Sequence, residues 1–408
     1  MRITTIDPLR RVALQKPEPG DVPHATIEPN TSCNIRCQRC YACDDPMVKP
    51  LEQVLVEIDL VVQRRKLDSI TLLGGEPTLH PQLADIVAHA KGHGLTVMLL
   101  TNGVSLLQPG GDALIDGLAA AGLDRFLLHI DHGQEHVHAD VGQARHALAA
   151  KLEARGIWFG LALTLYAGQE ATLPAVMREF ARYRWFDGVL VTLAFDPDRA
   201  WLPGVFDPEA PDMASIHGAI ADRLGIQATA YLPSSQHDDE VCWLMYFYAI
   251  DAASGVCFQL SPRLNRLVRS LHRRLRGREF FAEPLEPRWL GVTLDLLGAA
   301  ELILAPSRLG ELLRFRRGVR SERRFHYIVL QQAPRLDPSS GQLQICWQCP
   351  DAVVRGGRLV PVCIAGRLHP YSGAPPAAPP AVVDAVLTHL NPAGAPPCPS
   401  SFARSTST

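Results

Sequence analysis

Short apolar runs alternate with longer amphipathic stretches through the first half of the chain. Six of these runs are rich in β-branched and other apolar side chains, which predicts buried strands. The predicted strands cover residues 25–28, 69–73, 96–100, 125–130, 158–164 and 189–194. The stretches between them repeat apolar residues at helical spacing. They predict helices over residues 51–65, 81–93, 112–121, 141–155 and 171–184.

Six successive β/α units predict an α/β fold with a parallel sheet and right-handed crossovers. The pattern leaves open whether the sheet is doubly wound or a partial barrel. The alternation stops after residue 230, so we expect an N-terminal extension at 1–19, a core at 20–230 and a smaller C-terminal domain at 231–370. Residues 371–408 are rich in Pro, Ala and Ser and predict a largely disordered tail with a short helix at 381–390.

The composition is that of an ordinary globular chain. Its 408 residues are 47% hydrophobic and carry a formal net charge of −2, so a strongly basic nucleic-acid-binding domain is not expected. The N-terminal residues lack the apolar segment of a secretory signal, and no apolar stretch is long enough to span a bilayer. Ten cysteines without an export signal favour metal ligation over disulfides. We therefore expect a cytoplasmic location.

Three cysteines lie close together near the N-terminus. Cys33, Cys37 and Cys40 have the spacing CxxxCxxC, and soft thiolates can hold three corners of a [4Fe–4S] cluster. One iron is then left without a protein ligand, and an open position is the mark of a reactive metal site. For the triplet alone, a zinc knuckle or buried thiols are the alternatives. Cys43 would close the cluster as a fourth ligand, so we expect it to be a bystander or to bind something else.

A second motif, GGEP, ends the second predicted strand. Gly74 and Gly75 lack a Cβ, which lets the backbone approach a ligand closely. The carboxylate of Glu76 can accept a charge-assisted hydrogen bond from an ammonium group. A purely structural metal knuckle has no use for such a carboxylate, so the two motifs together favour a reactive site.

The segments CNIRCQRCYA and GGEP resemble the two signature motifs of the radical S-adenosylmethionine (SAM) superfamily. The resemblance implies a (β/α)6 partial TIM barrel over roughly residues 20–230, with chemistry at the C-terminal ends of the strands. It implies that Cys33, Cys37 and Cys40 bind a [4Fe–4S] cluster whose open iron takes SAM, with Tyr41 beside the last ligand. One electron from an external flavodoxin- or ferredoxin-like donor then cleaves SAM to a 5′-deoxyadenosyl radical, which abstracts hydrogen from a substrate.

Further SAM contacts are expected at the ends of the later strands. Asn102 follows the third strand in an LTNG turn that resembles a common feature of the superfamily, although an ordinary Asn-Gly turn is the alternative. Period-two alternation puts His129 and Asp131 on one face of the fourth strand. The resemblance implies a contact to the ribose hydroxyls there, with Asp131 as first choice. Thr164 on the fifth strand and Leu193 on the sixth complete the candidates.

A second group of cysteines lies toward the C-terminus. Cys346, Cys349 and Cys363 combine a CxxC pair, a Gly-containing turn and a third cysteine, which is similar to the auxiliary-cluster extensions of some radical SAM enzymes. The pattern leaves open a second iron–sulfur cluster, a zinc site, and thiols that are plain or contact substrate. A fourth ligand would come from substrate or from one of three further cysteines: Cys242, Cys257 and Cys398.

Residues 263–278 combine leucines at helical spacing with many arginines. Such a basic amphipathic helix either lies on an anionic membrane surface or packs its apolar face into the core, and we expect the packed arrangement. Peripheral membrane contact would make a lipid or prenyl-type substrate attractive.

The sequence thus predicts a radical SAM enzyme with an unidentified substrate, which the basic helix and the apolar second domain favour as a lipid or small molecule. A peptide-modifying enzyme with an auxiliary cluster is the alternative within the same class. An alternative of another class is a non-catalytic iron–sulfur or zinc module for electron transfer or binding. That module would have a fully ligated metal and no affinity for SAM.

Overall fold

The computed structural model describes most of the chain and has an α/β fold built on one large sheet. The described residues are 12–37, 39–41, 46–198, 200, 202, 210–279, 287–337, 340–371, 373 and 375–391. Cys43 and Cys398 lie outside the described residues, and so does most of the predicted N-terminal extension.

Strands and helices alternate regularly at first and irregularly later in the chain. The strands are β1 (Ala13–Leu14), β2 (His24–Asn30), β3 (Ser69–Gly74), β4 (Thr96–Thr101), β5 (Arg125–Leu128), β6 (Trp158–Leu165), β7 (Phe186–Leu193), β8 (Ala230–Pro233), β9 (Val241–Asp251), β10 (Cys257–Gln259), β11 (Arg323–Gln331), β12 (Arg335–Leu336), β13 (Leu343–Gln344), β14 (Ala352–Arg355) and β15 (Arg358–Pro361). The helices are α1 (Leu51–Arg64), α2 (Leu83–Gly92), α3 (Val104–Leu107), α4 (Gly111–Ala120), α5 (Val141–Arg155), α6 (Thr172–Phe180), α7 (Met213–Leu224), α8 (Pro262–Arg276), α9 (Pro287–Leu304), α10 (Leu309–Gly318), α11 (Ala365–Leu368) and α12 (Pro380–Leu390). Short 3-10 helices cover Pro77–Leu79, Pro306–Arg308 and Val362–Ile364.

Strands β2 to β7 lie side by side in chain order and run parallel, which confirms the predicted partial TIM barrel. The bounds of these six strands differ from the predicted ones by at most three residues. Buried apolar residues of the helices, among them Ile58 of α1 and Leu148 of α5, join those of the strands in one core. The helical periodicity of the sequence therefore marks the faces that pack on the barrel.

The sheet continues beyond the barrel strands. β11 pairs with β7 in parallel, and β9 pairs with β11 antiparallel. β8 and then β1 extend the sheet past β9. The strands after residue 230 thus join the barrel sheet instead of forming a large sheet of their own. The division of the chain into domains at this residue stays a prediction.

Side-chain contacts attach the C-terminal segment to the barrel. The Arg355 guanidinium of β14 donates to both carboxylate oxygens of Glu28 in β2, at 2.9 and 3.0 Å, and both side chains are buried. The same guanidinium lies 3.6 Å from the centre of the Tyr371 ring. The short helix predicted at 381–390 is α12, and its Val386 and Leu390 are buried in the core.

Helix α8 has the predicted amphipathic sequence but buries little of its apolar face. Leu264 is 1% exposed, whereas Leu267, Leu271 and Leu275 are 39%, 46% and 82% exposed. The expected packing into the core therefore holds only for the first turn. Within the described part of the chain, no helix combines the length and the hydropathy needed to cross a membrane.

Candidate active site

The C-terminal ends of the barrel strands surround a cavity of about 1350 Å³ that opens to solvent. Both predicted groups of cysteines line it, although some 300 residues of chain separate them. They are Cys33, Cys37, Cys40, Cys346, Cys349 and Cys363. The parallel sheet and the C-terminal segment packed on it therefore bring two potential metal-binding loops to one space, which we call the upper cavity.

The N-terminal cysteine loop has an unusual backbone. Arg39, just before Cys40, has a φ of 57°, a left-handed conformation that is uncommon for a residue other than glycine. Its guanidinium pairs with Asp196 at 3.1 Å. Burial and, to a smaller extent, the neighbouring Cys40 thiol raise the pKa of Cys37 to about 12. The loop thus gathers thiols that a metal would have to deprotonate on binding, and soft sulfur donors fit an iron–sulfur cluster.

The GGEP segment packs against the residues that lead into the cysteine loop. The Gly75 N–H donates to the Asn30 carbonyl at 3.1 Å, and the Glu76 N–H donates to the Ser32 carbonyl at 2.8 Å. A Cβ on Gly74 would lie 2.1 Å from the Asn30 oxygen, and one on Gly75 would lie 2.1 Å from the Ser32 oxygen. Glycine is therefore required at both positions because the Asn30 and Ser32 carbonyls pack directly against them. The sequence pattern does not reveal this cause.

The Glu76 carboxylate is buried at the centre of this arrangement. It accepts hydrogen bonds from the Thr78 N–H and hydroxyl, the Thr101 hydroxyl and the Asn102 N–H, at 2.6 to 3.2 Å. Burial raises its pKa, and the hydroxyl donors oppose that shift. Glu76 thus connects the ends of β3 and β4 and also lines the upper cavity. Its contact with a ligand ammonium group stays a prediction.

Two amide side chains lie against the sulfur atoms of the N-terminal loop. The Asn102 Nδ2 donates to Asn34 Oδ1 at 2.7 Å and lies 3.8 Å from the Cys33 sulfur. The Gln134 Nε2 donates to the Cys37 sulfur at 3.3 Å. Such donors stabilise thiolates and tune the metal that they bind. Gln134 is a residue that sequence reasoning missed, because nothing in the pattern of its loop points to a sulfur.

The other predicted SAM contacts divide into those that reach the upper cavity and one that does not. Tyr41, His129, Thr164 and Leu193 line it. Burial lowers the pKa of His129, which favours a neutral imidazole, and the Thr164 hydroxyl lies 3.4 Å from its Nε2. Asp131 is not among the lining residues.

Asp131 is occupied by contacts within the protein. It accepts hydrogen bonds from the His132 N–H at 2.8 Å, from Arg145 Nη2 at 3.2 Å and from the Thr164 N–H. Strand β5 ends at Leu128, so the predicted strand over 125–130 is too long and its alternation does not extend to Asp131. The contact of Asp131 with ribose hydroxyls stays a prediction.

The C-terminal CxxC turn has the same backbone feature as the N-terminal loop. Gln348, just before Cys349, has a φ of 48°. Its N–H donates to His389 Nε2 at 3.1 Å, and its side-chain amide donates to the His389 carbonyl at 2.8 Å. Among the described residues, Arg39 and Gln348 are the two non-glycine positions with positive φ. Strain of this kind concentrates at functional sites, and here it occurs at the equivalent position of both turns.

A fourth thiol lies beside the C-terminal group. Cys346 forms thiol hydrogen bonds with Cys242 and Cys349. The pKa of Cys363 is raised, mainly by burial and secondly by the nearby Cys349 thiol. Cys242 is buried and does not line the upper cavity. Cys257 instead donates from its thiol to the Gly255 carbonyl at 3.5 Å. Of the described candidates for a fourth ligand, the structure thus brings Cys242 to the group.

Comparisons with known proteins agree with the motifs. Residues 27–154 match the family model described as the Radical SAM superfamily. The PqqA peptide cyclase of Xanthomonas campestris is 28% identical over 152 residues, which cover 34% of this chain and 39% of that protein. The PqqA peptide cyclase of Methylorubrum populi is 32% identical, over 36% of this chain and 40% of its own. The chain thus spans about two fifths of the length of these relatives.

Two further proteins are similar to this chain, one over a shorter segment and one at lower sequence identity. The GTP 3′,8-cyclase of Chlorobaculum tepidum is 34% identical over 114 residues, which cover 27% of this chain and 33% of that protein. Streptococcus suis SuiB, solved with its precursor peptide SuiA, is 16% identical with a TM-score of 0.37, over 44% of this chain and 41% of its own.

Proposed function

We propose that this chain, which belongs to the radical SAM superfamily, is an enzyme that cleaves SAM reductively and abstracts hydrogen from a substrate in the upper cavity. The observation that carries the proposal is that the three thiols of the N-terminal loop and eight predicted SAM contacts line one cavity at the C-terminal ends of parallel strands. In barrels of this type, chemistry takes place at that end. An external one-electron donor and a cytoplasmic location belong to the proposal.

The residues of the chain hold and orient the cofactors. Cys33, Cys37 and Cys40 would bind a [4Fe–4S] cluster, since three soft donors on one loop fit three of its corners. When bound, the cluster and SAM supply the one-electron chemistry that makes a 5′-deoxyadenosyl radical. Asn102 and Gln134 donate toward the ligand sulfurs and so favour their charged form.

Anaerobic reconstitution with iron and sulfide tests this proposal. We expect about four irons per chain from the N-terminal loop, or about eight if a second cluster is present. Addition of SAM and dithionite should then yield 5′-deoxyadenosine, measured by liquid chromatography. A non-catalytic module would instead contain a fully ligated metal whose spectrum does not respond to SAM, and that result would refute the proposal.

The charge of Glu76 is expected to matter for SAM affinity. Glu76→Gln keeps the size of the side chain but removes the charge that would face the SAM ammonium group. We expect SAM to bind about 10- to 100-fold more weakly, since a hydrogen bond to a charged group contributes on the order of 1.5–3 kcal/mol. Equilibrium dialysis with labelled SAM measures the change, and iron content should remain intact. Glu52→Gln, an exposed position on α1, is the matched control, and unchanged affinity in Glu76→Gln would contradict the role.

We also propose a second metal centre, held by Cys346, Cys349 and Cys363. The observation that favours it is the left-handed turn at Gln348, which matches the turn at Arg39 in the N-terminal loop. Both turns belong to CxxC segments that line the upper cavity. We propose an auxiliary iron–sulfur cluster here, with zinc as the alternative metal.

The substrate follows less directly from the site. An auxiliary centre that faces the upper cavity favours peptide modification as a second candidate function. The PqqA peptide cyclases are, by name, enzymes that act on a peptide. Lipid or small-molecule substrates fit the apolar interior of the barrel better.

A further inference from the structure

A second cavity lies toward the N-terminal ends of the parallel strands. Its volume is about 1160 Å³, including space that opens to solvent, and it is lined by Arg125 and Phe186, the first residues of β5 and β7. Leu190, Trp243 and Gln331 line both this cavity and the upper one. The two cavities therefore adjoin inside the barrel, and we call the second one the lower chamber.

The wall of the lower chamber is mostly apolar. Met245 and Phe247 of β9 face it, in register with Val329 and Tyr327 of β11. Leu127 of β5 adds to the same wall. Transfer of hydrocarbon from water to such a wall is favourable in proportion to the area buried. The chamber therefore suits a ligand with an extended apolar body.

Charged residues on the wall are mostly basic. The charged lining residues are Arg125, Arg184, Arg269, Arg324, Asp187 and Asp351. Arg125 Nη1 pairs with Asp187 Oδ2 at 2.8 Å, and burial raises the pKa of Asp351 to about 6. Four guanidinium groups line the chamber against two carboxyl groups, which favours an anionic group on the ligand.

Three buried donors on the wall have no hydrogen-bond partner among the described residues. They are Asn265 Nδ2, Arg269 Nε and Arg324 Nε. The terminal nitrogens of the two arginines pair with Glu279 and Glu322, at 2.9 and 2.6 Å. Those pairs fix the guanidinium groups while their Nε–H groups remain without an acceptor. Buried donors are almost always satisfied in proteins, so these three groups are available to an oxygen of a bound ligand.

We infer that the substrate is an anionic amphiphile: its hydrocarbon body lies in the lower chamber and its carboxylate or phosphate group lies at Asn265, Arg269 and Arg324. The inference rests on the proposed function, because the chamber adjoins the cavity in which hydrogen abstraction is proposed. An extended body could then reach from the basic end of the chamber toward the thiols of the upper cavity.

Helix α8 connects this anion site with the protein surface. Asn265 and Arg269 belong to α8, which also carries the exposed Leu267, Leu271 and Leu275. A basic helix with exposed leucines fits the interfacial region of an anionic lipid layer. The amphiphile therefore comes either from such a layer or from free solution.

Probe binding to the reconstituted protein tests the inference. Dodecyl phosphate is the anionic probe and dodecanol the neutral comparator, and the fluorescence of Trp158 and Trp243 in the chamber wall reports binding. We expect dodecyl phosphate to bind about 10-fold more tightly than dodecanol because of charge-assisted hydrogen bonds. Arg269→Gln and Arg324→Gln should each remove most of that difference and leave dodecanol binding unchanged. Arg274→Gln, exposed on α8 and absent from the wall, should change neither.

A second variant tests the location of the hydrocarbon body. Met245→Trp fills the chamber and should abolish binding of both probes, with the thermal midpoint as a check on folding. Competition by phosphatidylglycerol vesicles would identify a lipid-layer source, and its absence would identify the free amphiphile. Equal affinity for the two probes, or unchanged dodecyl phosphate binding in both arginine variants, would overturn the inference.

The same preparation separates this inference from the proposed function. Formation of 5′-deoxyadenosine without phosphate-dependent probe binding would refute the anionic amphiphile and leave the enzyme proposal standing. Selective probe binding without any cleavage of SAM would support the anionic ligand site and refute the enzyme proposal.

Discussion

Replacement of Cys33 by alanine is expected to abolish 5′-deoxyadenosine formation and to remove about four irons per chain. The reason is that three ligands leave no redundancy in a cluster that must keep one iron open. Loss of one thiolate leaves two donors on a loop whose thiols are otherwise protonated, because burial raises the pKa of Cys33 and of Cys37. We expect a decrease of at least about 1000-fold in the rate, equivalent to about 4 kcal/mol in the barrier. Iron analysis and product quantification after reduction measure the two effects.

Two other cysteines serve as controls for this result. Cys257→Ala removes a thiol that lines neither cavity and should leave both iron content and product unchanged. Cys43→Ala should also leave the product, since a fourth ligand at that position would close the cluster. Equal loss of product in Cys33→Ala and Cys43→Ala would overturn the assignment of ligands.

Much of the barrel could be predicted from sequence because its local and global signals agree. The strand at 69–73 is a short apolar run that ends in glycines, and the structure has β3 at Ser69–Gly74. A parallel strand buried on both faces requires such a run, so periodicity and length were sufficient. The N-terminal cysteine loop and GGEP were readable for a similar reason, since each motif is local in sequence.

Contacts between distant parts of the chain could not be predicted in this way. β9 and β11 join the barrel sheet although helices no longer alternate with strands around them. Cys242 meets Cys346 because β8, β9 and the C-terminal segment pack together, which no spacing in the sequence reports. The prediction for Asp131 rests on the family resemblance and on strand alternation, and the end of β5 at Leu128 removes the argument from alternation. In each case tertiary packing decides the outcome, and a single sequence does not encode it in a local pattern.

The Glu76 site shows how a correct motif can have more than one physical cause. Its glycines permit the approach of Asn30 and Ser32. Its carboxylate accepts hydrogen bonds from Thr101 at the end of β4 and from Asn102 just after it. These contacts stabilise the loop that carries Cys33, so the motif serves the metal site as well as the proposed SAM contact. A local pattern reports that a position is constrained, but the structure is needed to say by which neighbour.

Cys363→Ala is expected to halve the iron content of the reconstituted protein, from about eight to about four irons per chain. Cys346, Cys349 and Cys363 line the upper cavity together, whereas Cys242 lies behind Cys346. A centre held by three cysteines keeps an open position toward the cavity, and a centre that includes Cys242 is closed. Because the N-terminal loop is untouched, formation of 5′-deoxyadenosine should persist in this variant.

Cys242→Ala separates the two forms of that centre. If three cysteines hold the metal, Cys242→Ala retains about eight irons and Cys363→Ala does not. If four hold it, both variants lose about the same amount. Metal analysis for zinc and iron together identifies the ion, and a zinc content near one per chain that disappears in Cys363→Ala would replace the auxiliary cluster with a zinc site. Unchanged metal content in Cys363→Ala would refute the second centre, because Cys363 would then be a thiol that binds no metal.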